Sequence, residues 1–252
     1  MTVRAGAATD VGRQRKHNED SVLVEGSVFV VADGMGGHAA GEVASGIATA
    51  TLAELAAMER RRSDDVVEAL ERANRRILES VATHPDQTGM GTTVAGLTVV
   101  TAGGSDQWAV FNVGDSRVYR CIDDRLTLVT VDHSEVRELV DAGFITEEEA
   151  AHHPLRNVVT RSLGTDTAPT PDVWVLPPHS GERFVICSDG LSNELGADEI
   201  RRLLTGSDDP QQAADALVAA AVEAGGRDNV SVIVVDLDAD EREQDLDADT
   251  SP

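Results

Sequence analysis

The stretch FVVADGMGGHAAGEVAS, residues 29–45, joins an apolar run to a glycine-rich turn and an alanine-rich segment. The apolar run is typical of a buried strand, and the alanine-rich segment is typical of a helix. Asp33 stands where the predicted strand ends, directly before Gly34. Because Asp-Gly is among the commonest turn dipeptides, this stretch alone indicates only a turn between a strand and a helix.

Acidic residues stand at the ends of other predicted strands as well. Asp115 lies in the turn of WAVFNVGDSR, Asp189 follows RFVICS, and Asp228 comes just before the last strand, VSVIVV. Glu19 and Asp20 open a further strand. If these strand ends share one edge of the fold, their carboxylates repel one another unless cations hold them. Oxygen ligands suit hard ions, so the pattern predicts a site for Mg²⁺ or Mn²⁺.

The order of the predicted elements favours an α+β fold with antiparallel sheets. β-Branched and apolar runs predict strands at 22–24, 28–32, 93–100, 108–113, 117–122, 126–131, 173–176, 183–187 and 230–237. Alanine-rich stretches predict helices at about 41–61, 64–83 and 211–224, and short helices at 132–142 and 147–152. Ser63 is the predicted N-cap of the second helix. Helices come in blocks between runs of strands, which argues against a doubly wound parallel sheet.

Composition and charge narrow the classes of function. The 252 residues are 41% hydrophobic, which is enough for one folded domain with a sizeable core. The 45 acidic and 21 basic residues give a net charge of −24, which argues against nucleic-acid binding. No apolar run approaches the roughly 20 residues that span a bilayer, and the first residues lack the pattern of a signal peptide. We therefore expect a cytoplasmic protein without a nucleic-acid or membrane partner.

Seven short motifs, in this order, give the chain a specific resemblance. They are RKHNED at 15–20, DGMGG at 33–37, GTT at 91–93, GDSR at 114–117, DHS at 132–134, SDGL at 188–191 and GRDN at 226–229. In these motifs the chain resembles the metal-dependent protein serine/threonine phosphatases of type 2C, and their bacterial branch in particular. The resemblance covers about residues 3–236.

The resemblance implies a fold and a domain layout. The expected fold is a central antiparallel β-sandwich flanked by helices on both faces, in four layers α-β-β-α. Residues 1–237 would form the catalytic domain, with a flap at about 134–164 beside the site. Residues 238–252, which are acidic and nearly free of apolar side chains, are expected to be a disordered tail.

The resemblance also implies an activity. The chain would hydrolyse phosphoserine and phosphothreonine in proteins with a water activated at a binuclear Mn²⁺ or Mg²⁺ site, with two or three ions in all. The expected partners are phosphoproteins, namely Ser/Thr kinases of eukaryotic type and their substrates. The expected role is in signalling, and the expected state is a monomer.

Residue roles follow from the resemblance position by position. Asp33 would bridge two metals, Asp189 and Asp228 would complete one of them, and the Gly34 carbonyl would bind the other. A second set acts less directly. Glu19 and Asp20 would hold metal-bound waters or bind metal themselves, Asn229 would orient Asp228, and Asp115 would share a third, looser ion with Asp189. The alternative for Asp115 is a turn residue only.

Arg15 matches the family's phosphate-binding arginine, whose fork can grip two phosphate oxygens at once. Arg13 and Lys16 are its rivals. Many eukaryotic relatives have a histidine directly after the Asp-Gly pair as general acid, and here Met35 occupies that position. Neither His17 nor His38 can be assumed to replace it, so the proton donor stays open.

Three other interpretations compete. A cysteine phosphatase requires Arg six residues after its nucleophile, whereas Asn193 follows Cys187 and Thr127 follows Cys121 at that distance. A dinucleotide site is suggested by the glycines after Asp33, but that carboxylate would face the pyrophosphate and no second strand follows the helix. A catalytically weak regulatory or binding module would be marked by lost metal carboxylates, and all are present.

Overall fold

The computed structural model describes residues 2–36 and 40–238. The strands there are β1 (Val3–Asp10), β2 (Asp20–Glu25), β3 (Val28–Met35), β4 (Gly91–Thr92), β5 (Val94–Ala102), β6 (Ser105–Val113), β7 (Arg117–Ile122), β8 (Arg125–Leu128), β9 (Asp172–Leu176), β10 (Arg183–Cys187) and β11 (Val230–Leu237). The α-helices are α1 (Ala40–Leu52), α2 (Ser63–Thr83), α3 (Glu135–Asp141), α4 (Glu147–Ala151), α5 (Asp189–Ser192), α6 (Ala197–Leu204) and α7 (Pro210–Ala224).

Two antiparallel sheets form the centre of the molecule. One has the order β1-β11-β10-β7-β8, and the other has the order β2-β3-β5-β6-β9 with β4 added to the end of β3. Side chains along β3 alternate between two surroundings: Val28 and Val30 face helices, whereas Phe29 and Val31 join the core between the sheets. Because β3 is covered on both faces, its sequence is a continuous apolar run.

Three apolar layers hold the elements together. Between the sheets, Phe29, Trp108 and Phe184 are fully buried, and burying each such side chain is worth roughly 1.5–3 kcal/mol. Helices α1 and α2 pack on the sheet that contains β3, and helices α6 and α7 pack on the sheet that contains β11. The predicted four-layer α-β-β-α arrangement is therefore confirmed.

Three predicted boundaries are wrong. The first helix ends at Leu52 and continues as a 3₁₀ turn, Ala53–Ala57. Ser63 is the first helical residue of α2, and the cap is Arg62, whose N–H donates to the carboxylate of Asp65 at 2.6 Å. The strand predicted at 126–131 ends at Leu128. Beyond it the hydroxyl of Thr130, rather than a backbone carbonyl, accepts the Val118 N–H.

Strand β1 and helix α6 were not predicted. The β1 sequence, VRAGAATD, is poor in β-branched residues, yet it pairs with β11 along all eight positions. A Cβ at Gly6 would overlap the backbone of Gln211, at the start of α7. The small residues of β1 therefore allow α7 to pack closely on this strand.

The segment 134–164 lies outside both sheets and carries α3 and α4. Its far end is fastened to the core: Leu163 and Thr92 exchange two backbone hydrogen bonds of 2.9 and 3.1 Å. The buried side chain of Asn74, on α2, accepts the Gly164 N–H at 2.7 Å. None of the helices in the described part of the chain is long and apolar enough to cross a membrane.

Two glycine substitutions test this packing. A Cβ at Gly96 would overlap the Phe111 ring on the paired strand, so we expect Gly96→Ala to lower the free energy of unfolding by about 1–3 kcal/mol. Gly46, within α1, has open space around it, so Gly46→Ala should raise that free energy by about 0.5–1 kcal/mol. Urea unfolding measures both. Equal effects of the two variants would contradict the close contact at Gly96.

Candidate functional site

Five chain segments bring their acidic residues to one end of the sandwich. Asp20, at the start of β2, lies opposite Asp33 in the antiparallel ladder. Asp189 begins α5 directly after β10, and Asp228 precedes β11. Charge on Asp20, Asp189, Asp115 and Asp228 acts on the Asp33 carboxyl. The structure thus brings together the aspartates that the sequence predicts to converge.

The backbone of Asp33 is held on both sides. Its N–H donates to the Thr93 hydroxyl at 3.2 Å. Its carbonyl accepts the Thr93 N–H and the Thr92 hydroxyl, both at 2.9 Å. These two threonines of the GTT motif therefore fix the strand end from which the Asp33 carboxylate extends, a role that the sequence motif alone does not reveal.

Gly34 and Gly41 let the end of β3 and the start of α1 touch. A Cβ at Gly34 would overlap the carbonyl oxygen of Gly41. A Cβ at Gly41 would lie 2.8 Å from Oε1 of Glu19. The Gly34 N–H in turn donates to the backbone carbonyl of Glu19 at 3.2 Å. The Glu19 carboxylate and the Gly34 backbone are therefore neighbours at the rim of the cluster.

Burial and mutual repulsion make these carboxyls hard to ionise. Burial, and then the charges of neighbouring carboxylates, raise the pKa of Asp33 well above its usual range. The same causes raise the pKa of Asp20 and of Asp115 to about 7 and the pKa of Asp189 to about 6. A set of buried carboxylates with so little positive charge among them is unstable unless protons or cations are added.

The donor set fits hard divalent cations. Oδ1 of Asp20 and Oδ1 of Asp189 are buried and have no hydrogen-bond partner within the protein. All donors here are oxygens, as Mg²⁺ and Mn²⁺ prefer. Across residues 2–36 and 40–238, no three His, Cys, Asp or Glu side chains lie close enough to hold one ion unaided. An ion held here would therefore need backbone oxygens or water to complete its coordination.

Two of the aspartates are oriented by neighbours on their own loops. Asn193 donates from Nδ2 to Oδ2 of Asp189 at 3.0 Å. Oδ1 of Asp228 accepts a hydrogen bond of 2.8 Å from the Asn229 N–H. Oδ2 of Asp228 accepts one of 2.6 Å from Nη2 of Arg15. The Asp228 carboxylate thus has a fixed direction, with a guanidinium beside it.

Asn229 bonds Asp228 through its backbone N–H, and its buried side chain makes further contacts. Its Oδ1 accepts the Glu19 N–H at 2.9 Å, and its Nδ2 donates to the carbonyls of Val11 and His17, both at 3.0 Å. Only its backbone N–H reaches Asp228. Asn229 therefore ties the N-terminal loop, which carries Arg15 and Glu19, to the start of β11.

An ion pair that sequence reasoning missed supports the Asp228 loop; its carboxylate is buried and its guanidinium is exposed. The Glu194 carboxylate accepts the N–H of Arg227 at 3.0 Å and its guanidinium at 2.8 and 3.1 Å. A Cβ at Gly225 would overlap this carboxylate. The two partners are 33 residues apart, and no local pattern signals their contact.

Arg15 is the cation that bonds an aspartate of the cluster directly, and Arg117 acts on Asp115 and Asp189. Although burial opposes it, the carboxylates of Asp228, Asp33 and Glu19 raise the pKa of Arg15. Its rivals, Arg13 and Lys16, make no ion pair in the described part of the chain. The side chain of Arg13 packs against Gly226 instead.

Asp115 lies in a turn that is fastened from several sides. The Gly114 N–H donates to Nδ1 of His133 at 3.0 Å, and Asn112 donates to the Gly114 carbonyl at 3.0 Å. His133 is buried, and burial lowers its pKa. Asp115 itself is nearly buried and faces the charge of Asp189, which is more than closing a turn requires.

The remaining candidates are Met35 and His38 for the proton donor and the two cysteines for a nucleophile. Met35 pairs with Gly91 at the end of β3, and a thioether carries no exchangeable proton. His38 lies outside the described residues. Burial raises the pKa of Cys187 to about 12 and also raises the pKa of Cys121, so neither thiol is a nucleophile at neutral pH.

The raised pKa values predict an unusual pH dependence in the metal-free protein. Asp115 titrates near 3.8 when unfolded and near 7 when folded, so between these pH values the folded state binds more protons. The free energy of unfolding should therefore fall as pH rises from 5 to 7 and level off above. Asp115→Asn should reduce this fall by about 1–3 kcal/mol.

Urea unfolding in EDTA at pH 5, 6, 7 and 8 measures this slope. The control is Asp106→Asn, which removes an exposed aspartate from the other end of the sandwich. It should keep the wild-type slope, since it reports only the general effect of lowering the negative charge. Identical slopes for the two variants would contradict the proton uptake at Asp115.

Comparisons with known proteins agree with this geometry. The family model of Protein phosphatase 2C matches residues 12–221. The serine/threonine protein phosphatase PstP of Mycobacterium tuberculosis is 39% identical over 242 residues, which cover 94% of this chain and 45% of that protein. The serine/threonine phosphatase stp of Listeria monocytogenes is 34% identical over 252 residues, with 94% and 97% covered. The chain thus spans about half the length of the mycobacterial relative and nearly all of the listerial one.

A solved structure has the same fold. It is the crystal structure of the catalytic domain of PstP in complex with two manganese ions, with a TM-score of 0.83, 37% identity, and coverage of 94% of this chain and 98% of that chain. Since the family model matches most of the chain and these relatives match nearly all of it, the chain belongs to the protein phosphatase 2C family.

Proposed function

We propose that this chain hydrolyses phosphoserine and phosphothreonine in proteins at the aspartate cluster, with Mn²⁺ or Mg²⁺ as cofactor. The observation that carries the proposal is the half-buried Asp33, surrounded by four further aspartates whose charge Arg15 and Arg117 compensate only in part. Such a cluster serves no structural purpose by itself, because it destabilises the fold without cations. The names of the relatives support the reaction, and the two manganese ions of the PstP catalytic domain support the cofactor.

Each carboxylate has a part in holding the ions. Asp33 would bridge two of them, with Asp189 and Asp228 on one and the Gly34 carbonyl on the other. Glu19 and Asp20 would hold the surrounding waters, and Asp115 would share a third ion with Asp189. When bound, the ions supply the acidification of water and the positive charge that phosphoryl transfer requires.

Arg15 would orient the phosphate. Its guanidinium already bonds one carboxylate oxygen of Asp228 and lies within the field of Asp33 and Glu19. A phosphate dianion offers the same fork two acceptor oxygens, and such bidentate pairs are stronger and more directional than single contacts. Asn229 keeps the loop of Arg15 at a constant distance from β11.

The proton for the leaving group has no assigned side-chain donor. Met35 cannot supply it, and His133 is engaged by the Gly114 N–H on one nitrogen and by Asp172 on the other. Water is therefore the proposed donor. The regulatory-module alternative gains no support, since every metal carboxylate is present.

The proposed setting follows from the activity. Residues 1–237 act as the catalytic domain, with residues 134–164 as its flap. Residues 238–252, which lie almost wholly outside the described part, form the acidic tail. The partners are phosphoproteins, namely Ser/Thr kinases of eukaryotic type and their substrates, in cytoplasmic signalling, and the chain acts as a monomer.

Metal dependence is the first test. The purified chain should hydrolyse p-nitrophenyl phosphate and a phosphothreonine peptide with Mn²⁺, and it should lose this activity in EDTA. Asp33→Asn should lower kcat by at least about 100-fold, because the bridging position loses its charge. The same variant should keep or raise the melting temperature of the metal-free protein, since one repelling charge is gone.

Asp106→Asn serves again as the matched control and should retain wild-type kcat. Calorimetric titration with Mn²⁺ gives a readout independent of turnover, and Asp33→Asn should bind fewer or weaker ions. Full activity after exhaustive chelation would contradict the proposed cofactor.

Arg15 is tested through the substrate. Arg15→Ala should raise KM for the phosphopeptide by about tenfold and disturb Mn²⁺ affinity less, because the guanidinium would bind phosphate directly and reaches the ions only through its bond to Asp228. Arg15→Lys should restore only part of the loss, since an ammonium lacks the fork. Arg13→Ala is the control and should behave as wild type. An unchanged KM in Arg15→Ala would show that another residue binds the phosphate.

A further inference from the structure

His133, in the middle of the DHS motif, is a buried histidine that the proposed chemistry does not use. Its two neighbours in the motif have partners of their own. Asp132 holds the Arg117 guanidinium through bonds of 2.9 and 2.6 Å, and Ser134 is the N-cap of α3. The ring of His133 instead contacts the turn between β6 and β7, which carries Asp115.

Gly114, directly before Asp115, is joined to His133 by both of its backbone groups. The Gly114 N–H donates to Nδ1 of the ring at 3.0 Å, in a buried hydrogen bond. The Gly114 carbonyl accepts the backbone N–H of His133 at 2.9 Å. Two bonds between the same two residues fix an orientation as well as a distance. His133 therefore sets the direction of the backbone that leads into Asp115.

The other side of this turn is packed, so the turn has no room to shift. Gly114 has a φ of +111°, and a Cβ there would lie 2.6 Å from the Cβ of Thr93. Ser116 shares a buried hydrogen bond of 2.7 Å with the Thr93 hydroxyl. Thr93 also holds the backbone of Asp33. The turn is thus held between Thr93, which is fixed relative to Asp33, and His133.

The Asp115 carboxylate takes its direction from the backbone of the turn. Burial and the charge of Asp189 raise the pKa of Asp115 to about 7, and its own backbone N–H acts against this rise. A carboxylate that interacts with its own N–H turns with its backbone. A change at Gly114 therefore moves the group that would share an ion with Asp189.

The contacts of the ring select one tautomer of His133. Nδ1 accepts the Gly114 N–H, so it carries no proton. Nε2 then carries the ring proton and donates it to Oδ2 of Asp172 at 3.2 Å. Arg161 also lies 3.2 Å from Nε2, but its guanidinium is exposed and reaches Oδ1 of Asp172 as well. The opposite tautomer would set two N–H groups against each other at the buried Gly114, which is the costlier place for such a conflict.

We infer that His133 is a positioning residue for Asp115. Its unprotonated Nδ1 holds the Gly114 peptide, so that the Asp115 carboxylate keeps the place from which it would bind the third ion. The inference rests on the phosphatase activity and on the ion-binding role of Asp115 proposed above. It assigns the histidine of the DHS motif to the loosest ion, and not to the inner two or to the phosphate.

Two amide substitutions separate the two ring nitrogens. His133→Asn keeps an acceptor oxygen at the place of Nδ1, whereas His133→Gln keeps a polar group only at the place of Nε2. His133→Gln should raise the Mn²⁺ concentration for half-maximal hydrolysis of p-nitrophenyl phosphate about tenfold, as is usual when a residue behind a metal ligand is lost. His133→Asn should stay close to wild type. At saturating Mn²⁺, kcat and KM of both variants should approach the wild-type values, because concentration overcomes weak binding.

Two readouts do not depend on turnover. The electron paramagnetic resonance signal of free Mn²⁺ gives the number of ions bound per chain, and His133→Gln should lose the weakest ion while it keeps the tighter two. In the metal-free wild-type chain with labelled histidine, ¹⁵N NMR at pH 7 should show His133 with Nε2 protonated and Nδ1 unprotonated. A ring that carries its proton on Nδ1, or on both nitrogens, would overturn the inference.

A double variant shows whether His133 acts through Asp115. Asp115→Asn should itself raise the Mn²⁺ requirement, and adding His133→Gln should have no further effect, since both changes disable the same ligand. The control is His179→Gln, which changes an exposed histidine beyond the far end of β9 and should match wild type in every readout. Melting temperatures of the metal-free variants check that they are folded.

The outcomes separate this inference from the phosphatase proposal. The inference fails and the activity stands if His133→Gln keeps the wild-type Mn²⁺ requirement, if His133→Asn loses as much as His133→Gln, or if the effects of the two changes in the double variant add. It also fails if Asp115→Asn leaves the Mn²⁺ requirement unchanged. If the wild-type chain does not hydrolyse p-nitrophenyl phosphate with Mn²⁺, the phosphatase proposal fails, and the number of bound ions still decides whether His133 acts on the third one.

Discussion

The repulsion among buried carboxylates at the end of β3 is the constraint around which the rest of the structure is arranged. Asp33 lies opposite Asp20 and within the field of Asp189, Asp115 and Asp228, and it is partly buried. Burying one charge without a partner is costly, and burying several of one sign is more so. The fold withstands this strain because the apolar core between and outside the sheets is extensive, and because the charges are held by backbone elements rather than by flexible loops alone.

Rigid supports around the cluster come from residues that carry no catalytic chemistry. Thr92 and Thr93 hold the Asp33 backbone, and Asn229 joins the N-terminal loop to β11. The Glu194–Arg227 pair supports the loop before Asp228. Each of these groups has its hydrogen bonds satisfied inside the protein, so it resists displacement by the repulsion next to it. These supports keep the carboxylates close together without a metal, so the affinity for a metal ion would depend on how rigid they are.

The sequence predicts the part of this arrangement that local patterns encode. Strands buried on both faces, such as β3 and β11, are continuous apolar runs, and the recurring Asp at strand ends predicts that Asp33, Asp189 and Asp228 converge. The sequence does not predict strand β1, because its small residues have low strand propensity. They are small because α7 packs closely on this strand, a contact between distant parts of the chain. Contacts between distant positions, such as Glu194 with Arg227 or Asn229 with Val11, leave no periodic signal. Ser63 was misassigned because the choice between a cap and a first helical residue depends on one hydrogen bond.

A chain of net charge −24 that binds a phosphate dianion presents an apparent conflict. Screening removes the remote part of it, because at physiological ionic strength exposed charges farther away than about 8 Å contribute little, whereas partly buried neighbours are screened much less. Close to the phosphate, the half-exposed Arg15 would supply positive charge, and bound divalent cations would neutralise the aspartates of the cluster. Binding of an anionic substrate thus depends on where the few cations stand, and the acidic remainder of the surface opposes anions that approach elsewhere.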